Sequence, residues 1–569
     1  MPASAASSPA AVDASGWGWR YATREAWAAR DVTLRIEPGE RVLLLGASGS
    51  GKSTLLQGIA GVLGGADEGE QEGTLRVGGD PAVATRGTSG LVLQDPDSQT
   101  ILARVGDDVA FGCENLGVPR EEIWQRVHAA LDAVGLDVPL DRSTSALSGG
   151  QKQRLALAGV LAMRPGVVLL DEPTANLDPA GVAEVRDAVG RGLDATGATF
   201  IVIEHRVDVW LPLVDRVIAL APGGGVLADG SPRAVLGVGA GSPQPATSRH
   251  AVPGRDARTH TLGTNPHPAS ARGVWAGEQR VGSRGAGDPA AGDPSGSDAA
   301  APDLPHQLAA AGVWVPGIAP RIPQPPAAAP GDALLAAQGL VVARTAGTPV
   351  AGPLDVEARA GEVLGIVGPN GAGKSTLGLT LAGLLRPEAG QVVASDALAE
   401  GAVARRRRHR RRHAAAGSDP VGWSSRSLLT RIGTVFQDPE HQLLARTVRE
   451  ELAVGPRALG LPEGEVAARV DELLERLRLA RLAEANPYTL SGGEKRRLTV
   501  AATLATRPLV MVLDEPTFGQ DAVTWAELVA IIAGLRDGID ERGPLAIVAI
   551  THDEAVLAAL HARRFEVGV

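Results

Sequence analysis

Two glycine-rich loops contain the residues whose types and spacing point most clearly to chemistry. Each has the pattern G-x-x-x-x-G-K-S and lies between an apolar run (RVLLLG, EVLGIVG) and a stretch that suits a helix (STLLQGIAGVL, STLGLTLAGLL). In a strand–loop–helix unit, this glycine spacing turns backbone N–H groups and a helix N-terminus toward a phosphate group. Lys52 and Lys374 are predicted to bridge the β- and γ-phosphates, and Ser53 and Ser375 to ligate Mg²⁺. The loop residues predicted to bind nucleotide are Gly46, Ser48, Gly49, Gly51, Lys52, Ser53 and Thr54 in the first loop, and Gly368, Asn370, Gly371, Gly373, Lys374, Ser375 and Thr376 in the second.

An apolar run that ends in two acids follows each loop. LLDEPT contains Asp171 and Glu172, and VLDEPT contains Asp514 and Glu515. The two aspartates are predicted to hold a hydrated Mg²⁺, a hard cation that keeps several waters. The two glutamates are predicted to polarise the attacking water as general bases. An isolated acid pair is more often a strand-end or helix-start feature, and the preceding phosphate loop favours the catalytic interpretation here.

These motifs belong to an internal repeat. Lys374 follows Lys52 by 322 residues, whereas Gln437, Ser491 and Asp514 each follow their counterparts Gln94, Ser148 and Asp171 by 343 residues. The 21 extra residues therefore lie between the first two motifs of the second copy. That interval contains the run RRRRHRRRH, at residues 405–413, and predicts an arginine-rich insertion at about 396–425.

The bulk composition excludes several other classes of protein. The net charge of −10 argues against a nucleic-acid-binding protein, because such domains are usually basic. The single cysteine, Cys113, excludes an intramolecular disulfide and is predicted to be a small buried hydrophobic residue. No run reaches the 18 or so apolar residues that a spanning helix needs, and the first residues lack the features of a signal peptide. The chain is expected to be soluble, with any membrane role exercised through partners.

The repeat and the composition divide the chain into four parts. Residues 1–14 are predicted to be a disordered tail, residues 15–236 and 332–569 the two repeated domains, and residues 237–331 a linker rich in Gly, Pro and Ala. Such a composition buries too little apolar surface to offset the entropy of ordering, so the linker is predicted to be disordered. As a flexible coil it would span roughly 50 Å, enough for the two domains to face each other.

The motifs LSGGQ and LSGGE make the resemblance specific, because each lies 23 residues before the aspartate of its acid pair. With them the chain resembles the ATP-binding-cassette (ABC) family. That resemblance implies two RecA-like α/β cores, each with an antiparallel β-subdomain and a helical signature subdomain. It also implies that the signature turn of one cassette caps the γ-phosphate held by the other, so that the two cassettes form an intramolecular pseudo-dimer. The signature residues are Ser148, Gly149, Gly150 and Gln151 in the first copy, and Ser491, Gly492, Gly493 and Glu494 in the second.

The resemblance assigns roles to further residues in both copies. Gln94 and Gln437 match the Q-loop glutamine that senses Mg²⁺ and its water, so they join the predicted metal ligands. Asp178 and Asp521 match the D-loop aspartate. His205 and His552 match the switch histidine, and with the two glutamates they complete the predicted catalytic residues.

One family position differs between the halves. Tyr21 matches the aromatic residue that stacks on adenine, whereas Arg344 occupies that place in the second half. Base stacking contributes roughly 1–3 kcal/mol, so the second site is predicted to bind ATP more weakly, unless the Arg344 guanidinium stacks instead. Both halves keep the lysine, both acids and the histidine, and both sites are predicted to hydrolyse ATP.

The residues after each Q-loop indicate the kind of cassette protein. QDPDSQTILARV and QDPEHQLLARTV resemble the ATPases of energy-coupling-factor (ECF) importers of vitamins, vitamin precursors or cobalt and nickel ions. This resemblance implies ATP and Mg²⁺ as cofactors, a transmembrane coupling protein and a substrate-binding membrane protein as partners, and a peripheral place on the cytoplasmic face of the cell membrane. The alternatives are a sugar-type importer ATPase and a tandem-cassette protein that acts on ribosomes. The arginine run is either a solvated loop or a contact to anionic lipid headgroups.

Overall fold

The computed structural model describes residues 8–22, 26–64, 68–85, 87–174, 177–238, 303–320, 322, 329–403, 417–538 and 543–568. They form two cassettes that share one architecture and a short segment between them. The first cassette contains β1 (Val12–Tyr21), β2 (Ala29–Ile36), β3 (Arg41–Leu45), α1 (Lys52–Ile59), β4 (Gly69–Val77), β5 (Asp80–Pro81), β6 (Ser89–Val92), α2 (Val105–Asn115), α3 (Arg120–Val134), α4 (Gly149–Ala162), β7 (Val167–Asp171), α5 (Pro179–Thr196), β8 (Thr199–Ile203), α6 (Val207–Trp210), β9 (Arg216–Leu220), β10 (Val226–Gly230) and α7 (Pro232–Leu236). The helix α8 (Leu304–Ala310) follows. The second cassette contains β11 (Ala333–Thr345), β12 (Thr348–Arg359), β13 (Val363–Val367), α9 (Lys374–Leu381), β14 (Ala389–Ala394), α10 (Asp396–Ala399), α11 (Ser425–Leu429), β15 (Ile432–Val435), α12 (Val448–Ala458), α13 (Glu463–Arg476), α14 (Gly492–Leu504), β16 (Val510–Asp514), α15 (Ala522–Asp537), β17 (Ala546–Ile550), α16 (Glu554–Ala559) and β18 (Arg563–Glu566).

A mainly parallel sheet forms the centre of each cassette. Its strand order is β10-β9-β3-β8-β7-β6 in the first cassette, where only β10 is antiparallel, and β15-β16-β17-β13-β18 in the second. Every residue of β3, β7 and β8 is buried, which explains their continuous apolar sequences, because helices and a second sheet cover both faces. The carboxyl ends of these parallel strands meet at one edge.

Two smaller layers complete each cassette. An antiparallel sheet, ordered β2-β1-β4-β5 or β12-β11-β14, packs against the phosphate-loop helix and the central sheet. The helices α2–α4 and α12–α14 form the second layer, and each set ends in the helix that begins at the signature motif. The predicted fold class is therefore confirmed. Among the described helices, none has both the length and the apolar character to cross a bilayer.

Cys113 lies inside the first helical layer. Its side chain is fully buried on α2, and the thiol contacts the carbonyl oxygen of Ala162 at 3.3 Å. The prediction of a buried small residue is correct.

Two boundaries differ from the sequence-based prediction. The tail predicted for residues 1–14 contains the start of β1, and Ala10, Val12 and Ala14 are buried against the central sheet. Part of the linker predicted to be disordered is also ordered, because residues 303–320 form α8, a turn and an isolated bridge between Val315 and Ile318. Both segments are rich in Ala, Gly and Pro, so their average composition predicted disorder. In each, a few apolar residues spaced along the segment provide the packing. The arginine run at 405–413 lies outside the described residues.

Candidate functional site

The predicted site residues follow the carboxyl ends of adjacent parallel strands. In the first cassette the phosphate loop follows β3, Gln94 follows β6, Asp171 ends β7 and His205 follows β8. The second cassette repeats this arrangement on β13, β15, β16 and β17. Open parallel sheets bind ligands in the crevice at this edge, so the lysine and the histidine, 153 residues apart in the first cassette and 178 in the second, converge on one place.

The phosphate loops have the geometry of an anion cradle. Gly51 and Gly373 have φ values of 90° and 94° at the start of α1 and α9. A Cβ on Gly51 would lie 2.6 Å from the carbonyl oxygen of Ala28, so both the backbone angle and the space require glycine there. The first N–H groups of each helix are thereby left to face a ligand.

The loop lysines lie folded over their own loops. Lys52 Nζ donates to the carbonyl oxygens of Gly46 and Ala47 at 2.8 and 2.9 Å, and Lys374 Nζ makes the same pair of bonds with Gly368 and Pro369. Burial lowers the pKa of both lysines, while the nearby carboxylates oppose that shift. A buried ammonium held by two carbonyls is poised to bind an incoming phosphate.

The predicted Mg²⁺ ligands come together in pairs. The Ser53 hydroxyl hydrogen-bonds Asp171, and the Ser375 hydroxyl hydrogen-bonds Asp514. Burial raises the pKa of Asp171 to about 6, with a further contribution from the charge of Glu172, and burial also raises the pKa of Asp514. Oxygen ligands and a locally excess negative charge fit a hard divalent cation. Across the described ranges, no group of three or more His, Cys, Asp or Glu residues could hold a metal, so these serine–aspartate pairs would share Mg²⁺ with phosphate and water oxygens.

Both predicted general bases have an unusual backbone conformation. Glu172 and Glu515 have φ values of 48° and 47°, in the left-handed region that non-glycine residues rarely adopt. Their amides donate to the carbonyl oxygens of Ile203 and Ile550 on the neighbouring strands at 2.9 and 2.8 Å. Strain of this kind, of order 1–3 kcal/mol, is typical of functional positions, because surrounding contacts must hold the residue in place. The same conformation in both cassettes supports the catalytic interpretation of the two glutamates.

The first glutamate is held by side chains of two other motifs. Gln94 Nε2 donates to Glu172 Oε2 at 2.7 Å, and His205 Nε2 lies 3.2 Å from Glu172 Oε1. Gln94, Glu172 and His205, which are predicted to be the Q-loop glutamine, the general base and the switch histidine of the first cassette, are thus in direct contact.

The second glutamate has a different set of partners. The Thr551 hydroxyl donates to Glu515 Oε2 at 3.0 Å, whereas His552 Nε2 lies 4.0 Å from Glu515 Oε1 and 3.1 Å from Asn370 Oδ1. Burial raises the pKa of Glu515 to about 7, and the Thr551 hydrogen bond opposes this shift. Burial also lowers the pKa of His552.

The residue before the switch histidine explains part of this difference. It is Glu204 in the first cassette and Thr551 in the second. Glu204 is buried. It accepts hydrogen bonds from the Thr174 hydroxyl and, at 2.8 Å, from the amide of His205, whereas Thr551 donates to the glutamate of its acid pair. The sequence displays this substitution, in IEHR against ITHD, but does not show which partner each side chain takes.

The signature serines begin helices, as predicted. Ser148 is the N-cap of α4 and Ser491 the N-cap of α14, and each forms a capping box with the residue three positions on. Their partners, Gln151 and Glu494, therefore have a structural role in fixing the helix start in addition to any contact with nucleotide. The glycine amides that follow stay at the positive end of the helix dipole.

Contacts between the cassettes join each D-loop to the opposite phosphate loop. The amide of Ser48 donates to Asp521 Oδ2 at 2.9 Å, and the amide of Asn370 donates to Asp178 Oδ2 at 3.1 Å. The other oxygen of each aspartate caps its own helix, α15 or α5. These reciprocal bonds hold the cassettes head to tail, so the predicted pseudo-dimer is the arrangement that the chain adopts. We call the site with Lys52 and Asp521 site 1, and the site with Lys374 and Asp178 site 2.

A cavity of about 850 Å³ separates the two catalytic groups. Glu172 and His205 line it from one cassette, and Glu515 and His552 from the other. Residues 314–320, within the segment predicted to be a disordered linker, form part of its wall.

Arg496 is a site residue that the sequence reasoning missed. It is buried on α14, and its guanidinium donates to the carbonyl oxygens of Phe436 and Gln437 at 2.9 and 2.7 Å. Burial lowers its pKa to about 10, against the opposing charges of Glu515 and Asp514. The counterpart in the first cassette is Gln153, so only the second Q-loop is joined to its signature helix in this way.

The predicted adenine positions differ as the sequence indicated. Tyr21 ends β1, where its hydroxyl donates to Gln57 Oε1 at 3.0 Å and its ring contacts Trp19 edge-on. Arg344 is exposed near the end of β11, and its charge lowers the pKa of Asp514 slightly against the larger effect of burial. The difference in ATP affinity between the sites stays a prediction.

Comparison with known proteins agrees with this geometry. The sequence profile of the family described as ABC transporter matches residues 29–175 and 352–518. A proposed ABC transporter ATP-binding protein of Methanosarcina acetivorans is 32% identical over 96% of this chain and 82% of its own length. A proposed HMP/thiamine import ATP-binding protein of Bacillus subtilis, YkoD, is 31% identical over 93% of this chain and 85% of its own length.

A solved structure shares the fold of the whole chain. It is the archaeal ribosome recycling factor aABCE1, in complex with the ribosomal stalk protein aP1, with a TM-score of 0.53 over 97% of this chain and 87% of that one. At 17% identity the likeness is one of fold alone. Profile, relatives and fold agree on two complete, repeated nucleotide-binding units.

Proposed function

Because this chain belongs to the ABC transporter family and is an ATPase with two fused cassettes, we propose that it is the energy-coupling subunit of an ECF-type importer. The cargo class that we propose is a vitamin, a vitamin precursor or a transition-metal ion. The observation that carries the proposal is that one chain holds both halves of two composite sites and aligns along nearly its full length with a relative proposed to energise import.

The chemistry follows from the groups at each site. Lys52 and Lys374 leave their loop carbonyls to bind the β- and γ-phosphates, and the helix N-termini add partial positive charge. Bound Mg²⁺ would neutralise phosphate charge beside the serine–aspartate pairs. Glu172 and Glu515 orient and polarise the attacking water, and a positioned base of this kind typically contributes 10²–10⁴-fold in rate.

The head-to-tail contacts make hydrolysis depend on closure. Asp178 and Asp521 each contact the opposite phosphate loop. A change in the nucleotide bound to one loop can therefore shift the position of the other cassette. We propose that Ser148 and Ser491, at the tips of α4 and α14, close over the γ-phosphate held by the opposite cassette. ATP binding then favours the closed pair, and hydrolysis and phosphate loss release it.

The surface after each Q-loop fits a membrane partner. Ile101 and Leu444 hold equivalent places in the repeat, and they are 60% and 77% exposed. Their amides donate to Asp108 Oδ1 and Glu451 Oε2, each at 2.8 Å, so the two apolar side chains are presented by fixed loops. A single exposed apolar side chain is common on a protein surface, but these two recur at equivalent places next to the Q-loop of each cassette. We propose that they anchor the transmembrane coupling protein, which would place the chain at the cytoplasmic face of the membrane.

The relatives support an import role over a ribosomal one. YkoD, similar along both cassettes, carries a name that proposes a role in HMP/thiamine import. The likeness to the ribosome recycling factor is one of fold alone and supports no ribosomal role. A sugar-type importer ATPase stays the alternative within transport.

Isolation of the native complex tests this function. The full chain, tagged at its N-terminus in its own cell, is purified from detergent-solubilised membranes, and the companion proteins and bound small molecules are identified by mass spectrometry. The expected companions are one multi-span coupling protein and one small membrane protein that carries a vitamin, vitamin precursor or metal ion. Recovery of the chain with ribosomal subunits, or with a sugar-loaded permease pair, would contradict the proposal.

A further inference from the structure

The ordered segment between the cassettes makes contacts that a spacer does not need. We call residues 303–320 the strap. It comprises α8, a turn at Ala311–Gly312 and the bridge between Val315 and Ile318. The transport role does not use it, and neither cassette needs it to complete a sheet.

The strap is anchored in the core of the first cassette. Leu308, Val313 and Val315 are 0%, 2% and 4% exposed and belong to the same buried cluster as Trp210 on α6 and Leu236 on α7. Burial of these three apolar side chains contributes roughly 1.5–3 kcal/mol each toward ordering the segment. The strap therefore moves with the first cassette.

The opposite face of the strap contacts the second cassette at the residues before and after Asp521. Trp314 Nε1 donates to the carbonyl oxygen of Gln520 at 2.9 Å, and the amide of Ala522 donates to the carbonyl oxygen of Gly312 at 3.1 Å. The indole of Trp314 also packs edge-on against Trp525, with ring centroids 5.5 Å apart. The residues before and after the D-loop aspartate of site 1 are thus both bonded to the strap.

The same turn also touches the first phosphate loop. A Cβ on Gly312 would lie 3.1 Å from Ala47 Cβ and 3.4 Å from Asp521 Oδ1, and Gly312 has a φ of 91°. Strap, phosphate loop and D-loop therefore meet at one point, beside the bond from the Ser48 amide to Asp521. Among the described residues between the cassettes, these contacts fall at site 1, whereas site 2 has the bond from the Asn370 amide to Asp178.

We propose that Trp314 and Gly312 are positioning residues for ATP hydrolysis at site 1. They hold the D-loop of the second cassette against the phosphate loop of the first, so that site 1 stays assembled while site 2 opens and closes more freely. The strap acts through Asp521 and touches no reacting atom. The inference goes beyond the transport role and holds for any cargo.

Site-selective turnover tests the proposal in the full chain. In a Glu515→Gln background only site 1 can hydrolyse ATP, and in a Glu172→Gln background only site 2. Trp314→Phe keeps the ring and removes the bond to Gln520. Loss of one hydrogen bond predicts a fall in kcat of roughly three- to tenfold at site 1, with less than about a twofold change in KM for ATP and in kcat at site 2. Equal falls at both sites, or no change at either, would overturn the proposal.

Hydrogen exchange gives a second readout that does not need turnover. Peptides that cover Ser48 and Asn370 are compared by mass spectrometry in the nucleotide-free chain. Trp314→Phe and Gly312→Ala are each expected to speed exchange in the Ser48 peptide and leave the Asn370 peptide unchanged, because only the first amide is held through the strap. Faster exchange in both peptides, or in neither, contradicts the proposal.

Trp423→Phe is the matched control. It removes an equivalent indole bond, to the carbonyl oxygen of Gly417 at 2.8 Å, from a buried tryptophan in the second cassette away from the interface. It is expected to alter neither peptide and to leave the ratio of the two single-site rates unchanged. A site 1 effect from this control as large as that from Trp314→Phe would assign the result to general loosening and overturn the proposal.

Discussion

At the scale of single residues, the two sites share their reacting groups and differ in what holds them. Glu172 is bound by Gln94 and His205, whereas Glu515 is bound by Thr551 and its histidine has turned to Asn370. Equal motifs therefore do not mean equal sites. Burial raises the pKa of Glu515, the predicted general base of site 2, to about 7.

That raised pKa predicts a pH-dependent stability. The folded pKa of Glu515 lies above its unfolded value of 4.5, so the folded state binds the extra proton and stability falls as the pH rises from about 4.5 to 7. Glu515→Gln cannot ionise and removes this penalty of about 3 kcal/mol. The variant is expected to exceed the wild type in thermal midpoint at pH 8 by about twice the margin that it shows at pH 5.5, measured without nucleotide.

A substitution that is expected to lower stability, where Glu515→Gln raises it, serves as the control. The Arg457 guanidinium lowers the pKa of the exposed Glu463 below 4.5, so its stabilising contribution is lost only below about pH 4.5, and Glu463→Gln is expected to lower stability slightly and equally at pH 8 and pH 5.5. A Glu515→Gln midpoint gain that is the same at both pH values would show that burial does not penalise the charge.

The sequence is enough to predict which residues take part in the chemistry. It does not predict the backbone conformation of these residues or their hydrogen-bond partners. Lysine, acids and histidine could be found because loop chemistry restricts both residue type and spacing. The left-handed conformation of Glu172 and Glu515 could not, since it arises from the neighbouring strands and leaves no mark on residue type. Arg496 was missed for a related reason, because an arginine in a signature helix looks exposed until the Q-loop carbonyls it binds are seen.

At the scale of elements, the fold acts by bringing strand ends together. Four parallel strands deliver the phosphate loop, the acid pair, the Q-loop and the switch histidine to one edge, and continuous apolar runs such as RVLLL and TFIVI predict those strands directly. The segment boundaries were harder. β1 begins inside the predicted tail and α8 inside the predicted linker. A few apolar side chains are enough to order such a segment when it packs on a surface that the folded cassette already provides.

The loops after the Q-loops supply the prediction at this scale. Ile101→Asp together with Leu444→Asp is expected to reduce recovery of the membrane subunits, and transport, at least tenfold, because each anchor loses roughly 1.5–3 kcal/mol of apolar burial and gains a charge to desolvate. The ATPase rate of the purified chain is expected to change by less than about twofold. The measurement pairs co-purification with uptake of the cargo into cells.

Two other exposed apolar residues make a matched control. Val62 and Leu384 also hold equivalent places in the repeat and are 54% and 48% exposed, but they follow the phosphate-loop helices. Val62→Asp with Leu384→Asp is expected to leave the complex intact. Normal transport by the Ile101 and Leu444 variant would exclude this surface as the docking site.

At the scale of the whole molecule, reciprocal D-loop contacts join the two repeats into one pseudo-dimer. The resemblance implied this pseudo-dimer, and its head-to-tail form is visible in the bonds from Asp521 to Ser48 and from Asp178 to Asn370. The strap could not be foreseen, because its apolar residues contact both cassettes only after these have met. It breaks the symmetry that the repeat would otherwise confer, since its hydrogen bonds to Gln520 and Ala522 fall beside the D-loop aspartate of site 1.

Disulfide trapping between the cassettes is the most direct test of this arrangement. With Cys113→Ser the chain has no cysteine, so pairs can be introduced as Ser48→Cys with Asp521→Cys, or Asn370→Cys with Asp178→Cys. A protease site placed within residues 239–302 then separates the cassettes, and a non-reducing gel shows whether they stay joined. Both pairs are expected to hold the halves together, and the same-cassette pair Ser48→Cys with Asp178→Cys is expected to release them. Release with both cross-cassette pairs would contradict the head-to-tail motor.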